Sequence, residues 1–343
     1  MCRSRKLYVA VGLLLPAHLL VLGASFLSPY DPDVQNRALP FVPPTRLHWV
    51  DARGKWHLLP FVYAYMALPD GFAAYEPDTK RAFPVRFFVN SPRQQPVGGT
   101  YSRYHLFGTD EGGRIFLLGT DRYGRDQLSR LLYGGRVSLM TGFIAAVLSV
   151  GLGLLLGSVA GFYGGVIDGA MMRFSDLFLA LPWLYVLFAF RAFLPLRTPP
   201  RESFTLLIMI IGLIGWARPA RLIRGAVLSA NNRNYVLAAR GFGASDAYLL
   251  QRHILPQTVG IVVTQAGLLI PHYILAEVAL SYLGLGIGEP TPSLGNMLAE
   301  VQIQSIMSSH WWMLLPGVAL IPLVAGYYSL AEVLHQRAGL IHD

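Results

Sequence analysis

Residues 231–256 of this chain read NNRNYVLAARGFGASDAYLLQRHILP. This polar, soluble-looking stretch lies between two apolar segments, each long enough to suggest a buried or membrane-embedded helix. Two helix-forming runs within it are separated by Gly241-Phe242-Gly243. Because glycine weakens a helix and permits sharp turns, the pattern predicts two short helices with a break at these three residues.

The same stretch has the features of a docking surface. Its small residues would let the backbone of a partner approach closely. Ser245 or Asp246 would cap the second helix, and Pro256 suits the first turn of the apolar helix that follows. The candidate contact residues are Tyr235, Leu237, Ala238, Ala239, Gly241, Gly243, Ala244, Ser245, Leu255 and Pro256.

The rest of the chain is too apolar for a soluble enzyme of 343 residues, since 53% of it is hydrophobic and only 14% is charged. Lipid offers the backbone no hydrogen-bond partners, so each apolar stretch must be helical. We therefore predict an all-α membrane protein with six transmembrane helices. The apolar stretches lie at about residues 7–27, 137–161, 174–194, 204–217, 254–281 and 312–334.

The arginine distribution predicts the orientation in the membrane. Residues 218–253 contain six arginines against the single acid Asp246, whereas residues 284–310 contain two glutamates and no lysine or arginine. Short loops rich in Lys and Arg stay in the cytoplasm. Both termini and the loop at 231–256 are thus expected in the cytoplasm, and the formal net charge of +9 reflects such loops rather than nucleic-acid binding.

Between the first and second apolar stretches, residues 28–136 mix prolines, aromatics and charges, and none of this region is apolar enough to span. Two strand-like runs flank the turn at residues 51–54, which predicts a β-hairpin. Residues 84–89 are a further strand candidate. We expect a small β-containing extracytoplasmic insertion here, in which His48 and His57 mark a sheet surface rather than a metal site.

No catalytic motif is present. The only cysteine is Cys2, and the sequence contains no GxSxG, HExxH or phosphate-cradling GxxxxGK[ST] pattern. A membrane enzyme therefore lacks a site, and a secondary transporter has little support beyond one acid in the fifth apolar stretch, Glu277. Glu277 would line a translocation pathway or gate, or form a structural pair with a neighbouring helix.

The loop at 231–256 resembles the cytoplasmic loop of permease subunits from binding-protein-dependent ABC importers, which carries a Glu-Ala-Ala, Gly, Ile-x-Leu-Pro signature. Leu237 stands where the acid is usual, and His253 where isoleucine is usual. The matching positions are Ala238, Ala239, Gly243, Leu255 and Pro256.

Three further stretches are similar to the oligopeptide, dipeptide and nickel branch of that family: residues 118–134, 168–182 and 281–298. The similarity does not extend to about residues 40–116. It implies a type I importer permease. Together with the apolar pattern, this predicts an N-terminal transmembrane anchor helix at 1–27, the insertion at 28–136, and a permease core of five helices at 137–343.

The resemblance also implies the partners. The chain would form half of the translocation pathway in the bacterial inner membrane, beside a second and different permease subunit. Two ATPase subunits would bind ATP and Mg and grip the cytoplasmic loop, and an extracytoplasmic binding protein would deliver the cargo. No cofactor is expected on this chain. The implied cargo is a di- or oligopeptide, with a nickel chelate or another small solute as the alternative.

Overall fold

The computed structural model describes residues 2–67, 75–90, 104–110, 112–192, 199–303, 307 and 309–339. These residues are mostly helical and include one four-stranded sheet. The helices are α1 Cys2–Leu22, α2 Ala24–Leu27, α3 Gln127–Tyr163, α4 Gly165–Ala180, α5 Trp183–Ala192, α6 Pro200–Ile214, α7 Ala217–Asn231, α8 Asn234–Gly241, α9 Asp246–Tyr248, α10 Leu255–Tyr282, α11 Leu294–Ala299 and α12 Leu315–Gly339. The strands are β1 His48–Val50, β2 Trp56–Ala67, β3 Tyr75–Asn90 and β4 Tyr104–Thr109.

Among the described residues, four helical stretches are long and apolar enough to cross a membrane: Arg5–Leu22, Gln127–Tyr163, Asp246–Tyr282 and Trp311–Gln336. Two bent helix pairs raise the number to six if each pair is one span. The first pair, α4 with α5, bends by 88°, and the second, α6 with α7, bends by 40°. The predicted number of six spans is thus the upper value that the helices permit.

The bend between α4 and α5 corrects the prediction of one continuous helix over residues 174–194. Leu181 is extended, with φ −83° and ψ 136°, and α5 starts only after Pro182. Proline has no backbone N–H, and its ring disfavours a helical conformation at the preceding residue. The helix therefore ends at Ala180 and restarts in a different direction.

The chain forms two compact units. One comprises residues 1–15, 139–286 and 321–343, and the other comprises residues 16–138 and 287–320. This division differs from the predicted boundaries at 28–136 and 137–343, because residues 287–320 group with the N-terminal part. In addition, α3 begins at Gln127, so residues 127–136 are helical rather than part of an insertion.

Within the first unit, α3 packs closely on α7 through three glycines spaced four residues apart. A Cβ atom on Gly157 would lie 2.4 Å from the Ala220 carbonyl oxygen, and one on Gly161 would lie 2.6 Å from the Arg224 carbonyl oxygen. Gly153 likewise has no room for a side chain beside α7. These glycines let the two backbones come together, as small residues do at helix contacts in membranes.

The second unit contains the sheet, whose strands follow the order β1-β2-β3-β4 and are all antiparallel. The structure has a hairpin where one was predicted, with Val50 opposite Trp56 across the turn. β3 pairs with β2 over its first part and with β4 over residues 85–90. Val62, Val85 and Ile115 form the buried core on one side of the sheet.

A short stem carries the sheet. The Thr120 N–H donates to the Val42 carbonyl at 2.9 Å, and the Thr45 N–H donates to the Phe116 carbonyl at 2.8 Å. The Thr120 hydroxyl accepts from the Val42 N–H at 2.7 Å. Residues 41–45 and 116–121, which we call the stem, thus bring the two ends of the sheet region side by side.

Candidate functional site

The predicted docking loop is one short helix followed by the start of a long one. α8 ends in a Schellman motif, in which the Ala244 N–H donates to the Ala239 carbonyl at 3.1 Å and the Gly243 N–H donates to the Arg240 carbonyl at 3.0 Å. Gly243 has φ +86°, a conformation that favours glycine. The break predicted at residues 241–243 is therefore present, and its cause is this helix cap.

The second helix is not a separate short one, which corrects the sequence prediction. Ser245 caps α9 by accepting a hydrogen bond from the Tyr248 N–H at 3.4 Å. α9 then continues through a π-helical turn, Leu249–Ile254, into α10. The wider turn lies directly before Pro256, whose ring would clash with the carbonyl four residues earlier in a regular α-helix.

The loop is held in place by a small apolar core. Val236, Leu249 and Ile254 are fully buried, and they pack with Ile223 and Val227 of α7 in one cluster. Arg240 Nη2 also donates to Asn231 Oδ1 at 2.8 Å. These contacts attach α8 and the turn after α9 to α7.

The solvent-facing side of the loop is open and exposes large apolar side chains among polar ones. Phe242, at 93% exposure, stands at the break between α8 and α9, and Leu237 and Tyr248 are also exposed. An open cavity of about 460 Å³ lies beside them. Its lining consists of Ala239, Phe242, Gly243, Ala244, Ser245, Tyr248 and His253.

Four of the predicted contact residues line this cavity: Ala239, Gly243, Ala244 and Ser245. Tyr235, Leu237, Ala238 and Gly241 lie on exposed positions of α8 outside the lining, and Leu255 and Pro256 lie at the start of α10. Sequence reasoning did not select Phe242 or Tyr248. Each of these two residues has a large, mainly apolar side chain within a polar loop. In a sequence, such a residue indicates an exposed contact surface.

Glu277 is far from this loop. It lies on α10, about 33 Å from Leu255 along the helix axis at 1.5 Å per residue. Its side chain is fully buried, and Ser281 Oγ donates to Glu277 Oε1 at 2.7 Å. Glu277 does not face open space in this conformation, and its role in a pathway or gate stays a prediction.

Two ion pairs between α4 and α7 also lie in the first unit. Arg224 Nε donates to Asp168 Oδ1 at 2.8 Å, and Arg221 pairs with Asp176. The sequence analysis used these arginines to predict orientation and did not predict these two ion pairs. Both pairs join α4 to the helix that precedes the docking loop.

A separate group of buried charges lies in the second unit. Arg125 bonds to Asp121 through Nε at 2.5 Å and to Glu300 through Nη2 at 3.0 Å. Arg130 Nη2 donates to Glu289 Oε1 at 3.1 Å. Both arginine side chains are at most 2% exposed. They connect the start of α3 to residues 289–300, a contact across more than 150 positions that spacing does not reveal.

Similarity to known proteins groups the chain with transport proteins. A family model, the binding-protein-dependent transport system inner membrane component, matches residues 153–339, which is more than half of the chain. The chain belongs to this family. The match includes the whole docking loop and leaves the sheet outside it. Family membership supports a type I importer permease fold, and with four to six candidate spans it makes the chain a multi-pass inner-membrane protein.

Several curated relatives are similar. The chain is 39% identical to the dipeptide transport system permease protein DppC of Bacillus subtilis over 57% of this chain and 59% of the relative. It is 35% identical to DppC of Haemophilus influenzae over 65% of this chain and 73% of that relative. The oligopeptide transport system permease protein OppC of H. influenzae is 33% identical over 68% and 70%. The chain thus spans less than two thirds of the first relative's length.

Among solved structures, the MetNI methionine ABC transporter is similar to 61% of this chain and 95% of its own matched chain. The TM-score is 0.48 and the sequence identity is 18%.

Proposed function

We propose that the chain is a permease subunit of an ATP-binding-cassette importer and forms half of the translocation pathway for di- or oligopeptides. Membership in the inner-membrane component family supports the transport function. Relatives named as dipeptide and oligopeptide permeases support the peptide cargo. A binding protein delivers the cargo, and a second permease chain completes the pore.

The observation that carries the coupling role is the anchored loop with its exposed apolar side. Val236, Leu249 and Ile254 fix the loop to the helices behind it, and Phe242 and Tyr248 lie open beside the cavity. Exposed apolar groups of this kind mark protein contacts. We infer that an ATPase subunit covers this side. Closure of the ATPase dimer would then move α8 as a rigid body and switch the pore between inward-open and outward-open states.

The orientation is part of the proposal. The docking loop is cytoplasmic, as are both termini, while the sheet lies outside. Support comes from the arginine distribution and from the grouping of residues 287–320, which lack lysine and arginine, in one unit with the sheet. Replacing Cys2 by serine removes the native thiol. In that background, labelling of a Ser245→Cys variant shows on which side of the membrane residue 245 lies. Labelling by an impermeant reagent added outside intact cells would refute this orientation.

The coupling role is tested by Phe242→Asp. Because Phe242 is almost fully exposed in this chain, the change leaves the fold intact, but it would bury an unpaired carboxylate in the ATPase contact. We expect at least about tenfold weaker ATPase capture, since such burial costs more than about 1.4 kcal/mol. Capture of the ATPase by the tagged permease, followed by transport in vesicles, measures the effect.

The matched control is Leu58→Asp. Leu58 is 98% exposed and lies in the sheet of the other unit, so the same chemical change should leave ATPase capture unaltered. If Phe242→Asp captures the ATPase as well as Leu58→Asp does, and couples hydrolysis to loaded binding protein as well as the unaltered chain does, the loop is not the coupling element.

A further inference from the structure

The sheet carries exposed aromatic side chains at the end where β3 pairs with β4. Phe87 and Phe88 are 53% and 68% exposed, respectively. Tyr104, opposite Asn90 in the same strand pair, is also exposed. The sheet exposes other large apolar side chains too, such as Trp56 and Leu58, but these three lie at one end of a single strand pair. Exposed apolar groups of this kind mark a surface that is covered in the working protein.

Contacts inside the second unit fix this end of the sheet at the exit of the first apolar helix. The rings of Phe26 and Phe88 lie 6.0 Å apart, and Phe26 belongs to α2. His105 Nδ1 of β4 donates to the Ser28 carbonyl at 2.5 Å. Ser28 directly follows α2. Phe88 therefore lies against α2, the short helix that ends the first apolar stretch.

The surface beside this contact is the outer face of α1. Leu19 and Leu22 are 59% and 70% exposed, and in a membrane-spanning helix such side chains contact lipid. Phe26 connects them to Phe88. The exposed apolar side of the helix thus leads, through Phe26, to the sheet.

The backbone at Phe88 is unusual. Its φ is +56°, and Phe41 is the only other non-glycine residue with positive φ among the described residues. This conformation is unfavourable for a bulky side chain and persists only where its surroundings compensate. The register with β4 is nevertheless unbroken on both sides of Phe88, so Phe87 and Phe88 lie on opposite faces of the strand pair, and both are exposed.

We propose that this edge of the sheet rests in the bilayer surface beside α1, where Phe87 and Phe88 contact the acyl chains. Lipid is the occupant that the observations favour, because the patch is continuous with the lipid-facing side of a span. Arg86, exposed next to it and paired through Nε with Asp110 at 2.7 Å, suits the phosphate layer. This contact goes beyond the proposed transport function and holds for any cargo.

The experiment uses the full chain in phospholipid nanodiscs. In a Cys2→Ser background, single cysteines are introduced as Phe88→Cys or Phe87→Cys and labelled with an environment-sensitive fluorophore. Leu22→Cys serves as the lipid reference. Leu58→Cys, at 98% exposure in the same sheet, serves as the water reference. Phe87→Cys covers the case in which a substitution at the strained Phe88 disturbs β3.

The readouts are quenching by aqueous iodide and by lipids with a nitroxide near the headgroup. For labels at both phenylalanine positions we expect iodide quenching about fivefold weaker than at Leu58, with clear nitroxide quenching, as for groups at the headgroup boundary. Iodide quenching equal to that at Leu58 would overturn the proposal. So would shielding that appears only when binding protein or a second permease chain is added. Because no transport is measured, failure here leaves the proposed transport function untouched.

Discussion

At the residue scale, the second unit holds more buried acid than its arginines neutralise. Asp121, Asp126 and Glu300 are buried with Arg125 and Arg130. Asp126 Oδ2 accepts from the Ser129 N–H and hydroxyl, while Asp126 Oδ1 and Glu300 Oε2 have no hydrogen-bond partner among the described residues. Burial, reinforced by the charge of Asp121, raises the pKa of Asp126 to about 7 and that of Glu300 to about 7. Both groups therefore hold protons at acidic pH.

The raised pKa of Asp126 predicts that the free energy of unfolding falls as the pH rises. The native state keeps a proton on Asp126 that the unfolded chain, with its ordinary pKa of 3.8, releases earlier. Stability should therefore decline between about pH 4 and pH 7 and level off above that range. In Asp126→Asn, the amide oxygen still accepts from Ser129, but position 126 no longer titrates. The decline in the free energy of unfolding should therefore be smaller by on the order of 1–4 kcal/mol. The thermal unfolding midpoint against pH measures this.

The exposed acid Asp246 provides the control for that experiment. Asp246→Asn should leave the pH profile of the wild-type chain unchanged, because its carboxylate stays in water in both states. A profile for Asp126→Asn that falls as steeply as the wild-type profile would show that Asp126 carries no buried proton.

At the element scale, the contact between α3 and α7 sets the position of the docking loop, since α7 leads directly into it. We expect Gly157→Ala to force the helices apart, because its Cβ would lie 2.4 Å from the Ala220 carbonyl oxygen. Overpacking of this kind costs about 1–3 kcal/mol. Gly151→Ala on the same helix meets nothing within 4 Å and should be neutral or slightly stabilising.

Thermal unfolding of the two glycine variants in detergent compares them directly, and vesicle transport reports whether the loop keeps its place. Equal unfolding midpoints would mean that α3 and α7 tolerate a wider separation. In that case the glycine spacing would not determine this contact.

The sequence predicted elements whose cause is local. The hairpin at residues 46–59 follows from its turn, and the helix break at Gly243 follows from glycine at a cap. The bend at Pro182 also has a local cause, but the length of the apolar run concealed it. The sequence analysis did not select Gly153, Gly157 and Gly161, although small residues at a spacing of four are a helix-packing pattern.

Contacts between distant parts of the chain were not predictable in this way. The bond from Arg125 to Glu300 depends on how the start of α3 and residues 287–303 fold together. Neither the spacing nor the residue type distinguishes such a buried pair from two solvated charges. For the same reason, the sequence placed residues 287–320 with the permease core, whereas they group with the sheet. In the loop at 231–256, four of the small residues that the sequence selected line the cavity, and Phe242, which also lines it, was not selected.

At the scale of the whole molecule, the sheet joins the chain through the stem, and its β3–β4 end also contacts α2 and Ser28. The stem bonds between Thr45 and Phe116 and between Val42 and Thr120 lie below it and do not depend on the strands. The family match begins only at residue 153, beyond the sheet. Exposed basic side chains lie on the strands and at the hairpin turn: Arg46, Arg53, Lys55, Lys80 and Arg81. They suit an acidic face on the binding protein, whose encounter they would accelerate.

Removal of the sheet tests that role. Because the stem holds Thr45 beside Phe116, residues 46–114 can be replaced by a short flexible linker without stretching the chain. We expect the variant to capture the ATPase normally and to retain basal hydrolysis, but to lose affinity for the binding protein. In the parent, that affinity should fall as salt rises, since exposed charges are screened. Titration of binding protein against the complex in nanodiscs at several salt concentrations measures both effects. Unchanged affinity with raised basal hydrolysis would identify the sheet as a lid over the pore instead, and unaltered transport would contradict both roles.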